Sequence, residues 1–192
     1  MTTTTFIRTV DGRDLPLPGT YAIDPAHSSV AFQVQHLGFS KVRGRFTDFE
    51  GTIAVAEEPT VSSVQVTIQS ASVDTAQAQR DAHLRSSDFF GVEDHPTLTF
   101  SSTTLEDCGD SLQVHGDLTI CDITRPVVLD VAFDGAGPDV MGDTSQPRIG
   151  FSATTTLNRY DFGITFNPPL EAGGLLISKR VRIELDIQAA RQ

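Results

Sequence analysis

Alternation of apolar and polar residues with a period of two runs through most of this 192-residue chain and constrains its fold more than any other feature. Val30, Phe32, Val34 and His36 share one parity, with Ala31, Gln33 and Gln35 on the other. Val64, Val66 and Ile68 alternate with Gln65, Thr67 and Gln69. Leu112, Val114, Gly116, Leu118 and Ile120 alternate with Gln113, His115, Asp117 and Thr119. Val127, Leu129, Val131 and Phe133 form a further apolar set, as do Val181, Ile183, Leu185 and Ile187, and a weaker run leads from Ile149, Phe151 and Ala153 toward Leu157. Half-buried antiparallel strands read this way because successive side chains point to opposite faces. Parallel strands, covered on both faces, read as continuous apolar runs. Eight strands are predicted, over 29–36, 42–56, 61–73, 96–106, 111–121, 126–134, 148–158 and 179–189. Between Val42 and Val55 the parity shifts from Phe46 to Phe49, Ile53 and Val55, which predicts a bulge near Gly51.

One segment breaks the pattern. Asp74 to Phe90 reads DTAQAQRDAHLRSSDFF and predicts one short helical segment near 75–90. Asp74 or Thr75 would cap it, Ala78, Ala82 and Phe89 would face inward, and Gly91 would end it. Turns are read at Glu58-Pro59 and Cys108-Gly109-Asp110. The Gly/Pro-rich stretch from Gly135 to Pro147, which lacks periodicity, is read as a loop. The strand pattern resumes after it with the same character. A single domain over 20–192 is therefore expected, preceded by an N-terminal extension, 1–19. An all-β chain of eight antiparallel strands and one helix makes a closed barrel or a two-sheet sandwich. A barrel removes exposed edges, and at eight strands its interior is filled by side chains or holds one small ligand.

Charge and termini exclude several function classes. Lys and Arg total 14 against 25 Asp and Glu, a formal charge of -11. Such a surface repels phosphate backbones and anionic headgroups, so neither nucleic-acid binding nor electrostatic membrane attachment is expected. No stretch approaches the roughly 18 apolar residues of a membrane span. The N-terminal MTTTTFIRTV lacks the basic start and apolar run of a secretory signal. A cytoplasmic location is expected; a mature chain whose signal had been removed would read the same. Cys108 and Cys121 flank one predicted strand about 30 Å apart, beyond disulfide or shared-metal reach, so both are expected as free thiols. Twelve Phe accompany two Tyr and no Trp. An aromatic-lined site would be lined by Phe, which fills space without donating a hydrogen bond.

No assembled catalytic motif stands out. Asp24, His27 and Ser28 are neighbours in DPAHSS, yet catalytic triads draw on distant segments and no Gly-x-Ser-x-Gly elbow is present. Asp24 and Ser28 are read as partners of local backbone donors. His27, His36, His83, His95 and His115 form no metal-binding spacing. His36 shares the apolar parity of Phe32 and Val34. An inward imidazole needs a partner, either a protein group or the polar head of a ligand. Arg80, Asp81, Arg85 and Asp88 crowd the helical segment. They form a solvated face with an anchoring ion pair, or Arg80 or Arg85 closes the barrel mouth on an anionic head.

Several short motifs, taken in order, resemble the YceI-like family: YAIDPAHS from Tyr21 to Ser28, FQVQHLG from Phe32 to Gly38, and Gly44 to Phe46 with Phe49 to Gly51. So do Arg80 to Leu84 with Asp88 to Phe90, His95-Pro96 with Thr99 to Ser101, and Gly116 to Ile120 with Thr124 to Val127. Asn158-Arg159 with Asp161 to Gly163 completes the set. The resemblance spans about Tyr21 to Ile187. It implies a lipocalin-like antiparallel barrel around an elongated apolar cavity, and binding of long isoprenoid lipids such as polyprenyl phosphates or isoprenoid quinones. It also implies a frequent periplasmic setting. Cys121-Asp122 fills a turn where the family commonly has Gly. Lys179-Arg180 stands where an acidic pair would be expected, which makes one barrel end more basic.

On this reading the chain binds, carries or sequesters an isoprenoid or other long-chain lipid, with no cofactor and no catalytic or metal-ligating set. Phe32, Val34, Phe46, Phe49, Phe100, Phe133 and Phe151 are the expected wall. His36, Arg80 and His83 are expected near the ligand's head. The alternatives are an enzyme acting on a hydrophobic substrate in the same cavity through a His general acid–base, and a barrel packed solid that serves as an interaction module. A homodimer is the protein partner left open.

Overall fold

The computed structural model describes residues 6–108, 111–140, 143–168 and 176–192. A short hairpin comes first, β1 (Ile7–Val10) and β2 (Arg13–Pro16), joined by Asp11-Gly12 with φ of 50° and 80°. The chain then winds up and down through β3 (Gly19–Ile23), β4 (Ser29–His36), β5 (Ser40–Phe46), β6 (Phe49–Val55), β7 (Ser63–Gln69) and β8 (Val73–Asp74). Helix α1 (Ala78–Arg85) follows. The long strands β9 (Thr97–Asp107), β10 (Leu112–Ile120), β11 (Ile123–Pro138), β12 (Pro147–Asn158) and β13 (Ile177–Arg191) complete the fold.

These elements make a closed eight-stranded antiparallel barrel. Strands β3 and β4 form one bent stave, since both pair with β13, and β5 with β6 and β7 with β8 form two more. β9 to β13 supply the remaining five, and β12–β13 and β13–β3/β4 pairing closes the ring. Each stave neighbours the next in sequence, the connection that short turns favour. One end therefore carries the β4–β5 turn, α1, the Cys121-Asp122 turn and the 3-10 turn at Arg159–Phe162. The other carries the 56–62 connection, the β9–β10 turn and the β1–β2 hairpin.

Four expectations are corrected. The parity shift lies at Thr47-Asp48 and not at Gly51, which pairs regularly with Val66: two residues between β5 and β6, the halves of one bent stave, let Phe46 and Phe49 both face inward. Gly135 to Pro138 extend β11 against Pro147 to Gly150, which shortens the predicted loop; Met141 and Gly142 lie outside the described residues. Gln77, whose side chain accepts from Arg80 N, caps a helix shorter than predicted. Ala78 and Ala82 are exposed while Asp81 is the buried helix residue, because Thr75 donates to its carboxylate from both N and Oγ1. The turn read at Cys108-Gly109-Asp110 falls partly outside the described residues. Both cysteines are free thiols. Cys121 and Asp122 have φ of 49° and 58°, the left-handed pair that a two-residue hairpin turn requires.

The end opposite α1 is closed by packing. Tyr21, Pro147, Ile149 and Ala189 are almost fully buried there, and Tyr21 Oη donates to Leu17 O at 2.7 Å. Arg148 clips the staves together by donating to Asp24 Oδ2 (2.6 Å), Asp139 Oδ1 (2.8 Å) and Gln188 Oε1 (2.7 Å).

Candidate ligand-binding cavity

The inward parity does not fill the barrel. A cavity of about 920 Å³ runs from Ile53 and Leu105 toward the closed end up to Phe166 and Leu176 beside α1. That is near the top of the roughly 300–1,000 Å³ range of small-molecule sites.

Phenylalanines form much of its wall. Phe32 and Phe46 lie 5.8 Å apart between ring centroids, Phe46 and Phe90 5.5 Å, and Phe89 and Phe166 5.2 Å. Phe32 points over Gly44 and Phe100 over Gly116, so both rings lie on the wall where a neighbouring side chain is missing. Of the ten residues expected at the site, Phe32, Val34, His36, Phe46, Phe49, Arg80, His83, Phe100 and Phe151 line the cavity. Phe133 does not. It stacks on Phe151 at 5.4 Å and packs against the buried core, next to a register shift between Phe133 and Gly135. Parity gives the inward face correctly but not how far along the barrel the cavity extends.

The sequence reading missed Phe90, Phe166 and Arg159, which also line the cavity. Phe166 lies outside any alternating run, and Phe89-Phe90 follow the helix, so no periodic signal marks them.

Polar groups collect at the α1 end. Arg80 Nε donates to Thr75 Oγ1 (2.7 Å) and Nη2 to Thr75 O (2.8 Å), so it is anchored without a carboxylate. Thr75 in turn is held by Asp81. Burial alone would raise the Asp81 carboxyl, but hydrogen bonds from the Thr75 side chain and backbone, with Arg85 nearby, hold it below the usual range. Arg85 is not a mouth residue: it donates to the carbonyls of Ala71 and Val73. His83 bonds Asp88 at 2.8 Å and stands edge-on to Phe89 and Phe166.

His27 and His95 likewise bond Asp24 and Asp122, whereas His115 Nε2 lies 3.6 Å from Glu106 Oε1 and makes no hydrogen bond among the described residues. His36 faces the cavity, and among the described residues its imidazole has no hydrogen-bond partner. Arg159 is buried in the same wall. It donates to the carbonyls of Ser178 (3.0 Å), Ile164 (2.8 Å) and Ile177 (3.3 Å), with its guanidinium 4.9 Å from the Tyr160 ring centroid. Burial pulls its pKa below the ordinary value.

The triad-like DPAHSS segment is structural. Asp24 receives Ala26 N and binds His27 and Arg148, while Ser28 Oγ donates to Gln188 O and accepts from Gln188 N.

Residues 21–189 match the YceI-like domain. A UPF0312 protein of Ectopseudomonas mendocina is 43% identical over 164 residues, 82% of this chain and 84% of its own length. The crystal structure of the Campylobacter jejuni YCEI protein aligns with a TM-score of 0.70 at 28% identity, covering 82% of this chain and 90% of its own. A polyisoprenoid binding domain from Saccharophagus degradans shares the fold, with a TM-score of 0.65 at 18% identity over 90% of this chain and 98% of its own.

Proposed function

The chain belongs to the YceI-like family, and we propose that its barrel carries one long apolar lipid of isoprenoid type, without chemistry of its own. The observation that carries this reading is the cavity itself: predominantly apolar along its length, Phe-lined, with its charged groups and histidines toward the α1 end. The fold neighbour from Saccharophagus degradans is a polyisoprenoid binding domain, which agrees with it.

The energetics favour a long ligand. Each buried CH₂ contributes about 0.8 kcal/mol, so a five-carbon isoprene unit contributes on the order of 4 kcal/mol gross. Association costs about 4–15 kcal/mol, so several units must be buried before binding is useful. A tunnel of this shape supplies that burial with Phe32, Val34, Phe46, Phe49, Phe100 and Phe151. The polar head, a phosphate or a quinone ring, would lie at the α1 end. There Arg80 offers a cation that forms no ion pair among the described residues, and His36 and His83 offer ring nitrogens.

Organic extraction of the purified protein followed by mass spectrometry tests the reading. An isoprenoid-type lipid in the extract, or saturable uptake of added polyprenyl phosphate by the emptied protein, is expected. Neither lipid nor uptake would refute it.

A further inference from the structure

The net charge of -11 hides a strongly basic corner. Lys41, Arg43 and Arg45 are exposed on β5, and Lys179, Arg180 and Arg182 on β13. Register joins the two sets across β4: Arg43 pairs with Gln33, and Gln33 with Arg182, giving one row on the outward parity. Lys179 and Arg180 fall within the register shift at the start of β13. Arg45 is offset by Asp74 and Arg182 by Glu184. Lys41, Arg43, Lys179 and Arg180 form no ion pair among the described residues, and Lys179 Nζ lies 4.8 Å from the Tyr160 ring centroid. Asp161, hydrogen-bonded to Asn158, is the carboxylate at the adjoining end of β12.

The tip of the same β4–β5 hairpin is apolar. Phe39 is 81% exposed and Leu37 39%. Leu37 has φ of 55°, a left-handed conformation that Gly or Asn adopts with less strain, so an apolar side chain stands there against local preference. Leu37 N donates to Leu176 O at 2.9 Å, and Leu176 and His36 both line the cavity. The tip therefore borders the mouth.

We propose that this corner is a docking surface for an anionic lipid bilayer. Phe39 and Leu37 enter the interface while Lys41, Arg43, Lys179 and Arg180 face the headgroup phosphates. Charge complementarity selects this occupant: clustered cations beside an exposed apolar tip match a negatively charged interface. A second copy presenting the same corner would set like charge against like. Docking in this orientation turns the mouth toward the membrane, so an apolar ligand could pass without crossing water. The proposal goes beyond the carrier reading, and its test does not depend on what the cavity holds.

Vesicle co-sedimentation of the full chain tests it, using phosphatidylcholine alone and phosphatidylcholine with about one-third phosphatidylglycerol. Binding to the anionic vesicles only, weakened by salt, is expected. Lys41→Glu with Arg43→Glu should lower it by about tenfold or more, as should Lys179→Glu with Arg180→Glu on the other strand. Phe39→Asp should also weaken it. Val61→Asp, at an aliphatic position 68% exposed at the opposite end, should leave it unchanged. Thermal unfolding identifies any misfolded variant, and the two charge reversals lie on different strands, so one can stand for the other. Equal binding to neutral vesicles, binding to neither, or full binding by both charge-reversal variants would overturn the proposal. So would a dimer in solution, without vesicles, that the same substitutions dissociate.

Discussion

The ring of Phe32 lies so far over Gly44 on the neighbouring strand that a Cβ there would sit 2.3 Å from Phe32 Cζ. Phe100 lies over Gly116 in the same way, at 2.4 Å. In both places a large ring covers a gap in the wall rather than projecting into the lumen. A barrel with this many inward phenylalanines can stay hollow for that reason.

Gly44→Ala should force Phe32 off the wall and toward the lumen. A loss of about 1–3 kcal/mol in denaturant unfolding is expected, with reduced lipid uptake. Adding Phe32→Leu to Gly44→Ala should recover part of both. Unaltered stability and uptake in Gly44→Ala would contradict the proposed wall.

Ala153 is buried in the wall of the cavity, between Phe151 and Thr155 on β12. Ala153→Phe should occupy ligand space while finding room for its ring. Uptake of polyprenyl phosphate should fall by about tenfold or more, whereas stability should change by only about 1 kcal/mol, because the cavity absorbs the added volume.

Arg159 supplies donors to three backbone carbonyls next to the cavity. Arg159→Met should leave these acceptors without partners and cost about 2–4 kcal/mol in denaturant unfolding. Arg159→Lys should lose less, since an ammonium can still reach one or two of them.

The Asp24 carboxyl is held at about 2, first by its hydrogen bond from Arg148 and then by that from His27. A depressed folded value means that the group stabilises the protein fully above its unfolded value, about 4. That contribution fades as pH falls from about 5 toward 2. Unfolding followed across this range should show an acid decline that is shallower in Asp24→Asn, a variant already less stable at neutral pH.

The strands were legible because parity records which side chains face inward; eight such runs left a barrel or a two-sheet sandwich, and the family resemblance pointed to the barrel. Parity could not find the Thr47-Asp48 break, which depends on how a single stave bends between β5 and β6. Nor could it show that Phe133, though on the inward parity, packs against Phe151 and the core instead of lining the cavity. The β1–β2 hairpin did carry a signal, Asp11-Gly12 between short alternating runs, and only its brevity hid it. Phe166 and Phe90 reach the cavity from irregular segments, where no period applies. Total charge also conceals local clustering: Lys41, Arg43 and Arg45 share one parity, but their union with Lys179, Arg180 and Arg182 exists only in the register across β4.

Native mass spectrometry of the delipidated protein after exposure to polyprenyl phosphate tests the central claim most directly. One bound lipid per chain is expected, with the complex lost or greatly weakened in Ala153→Phe. A protein that stays folded but gains no mass, or that binds equally well with Ala153→Phe in place, would contradict the account.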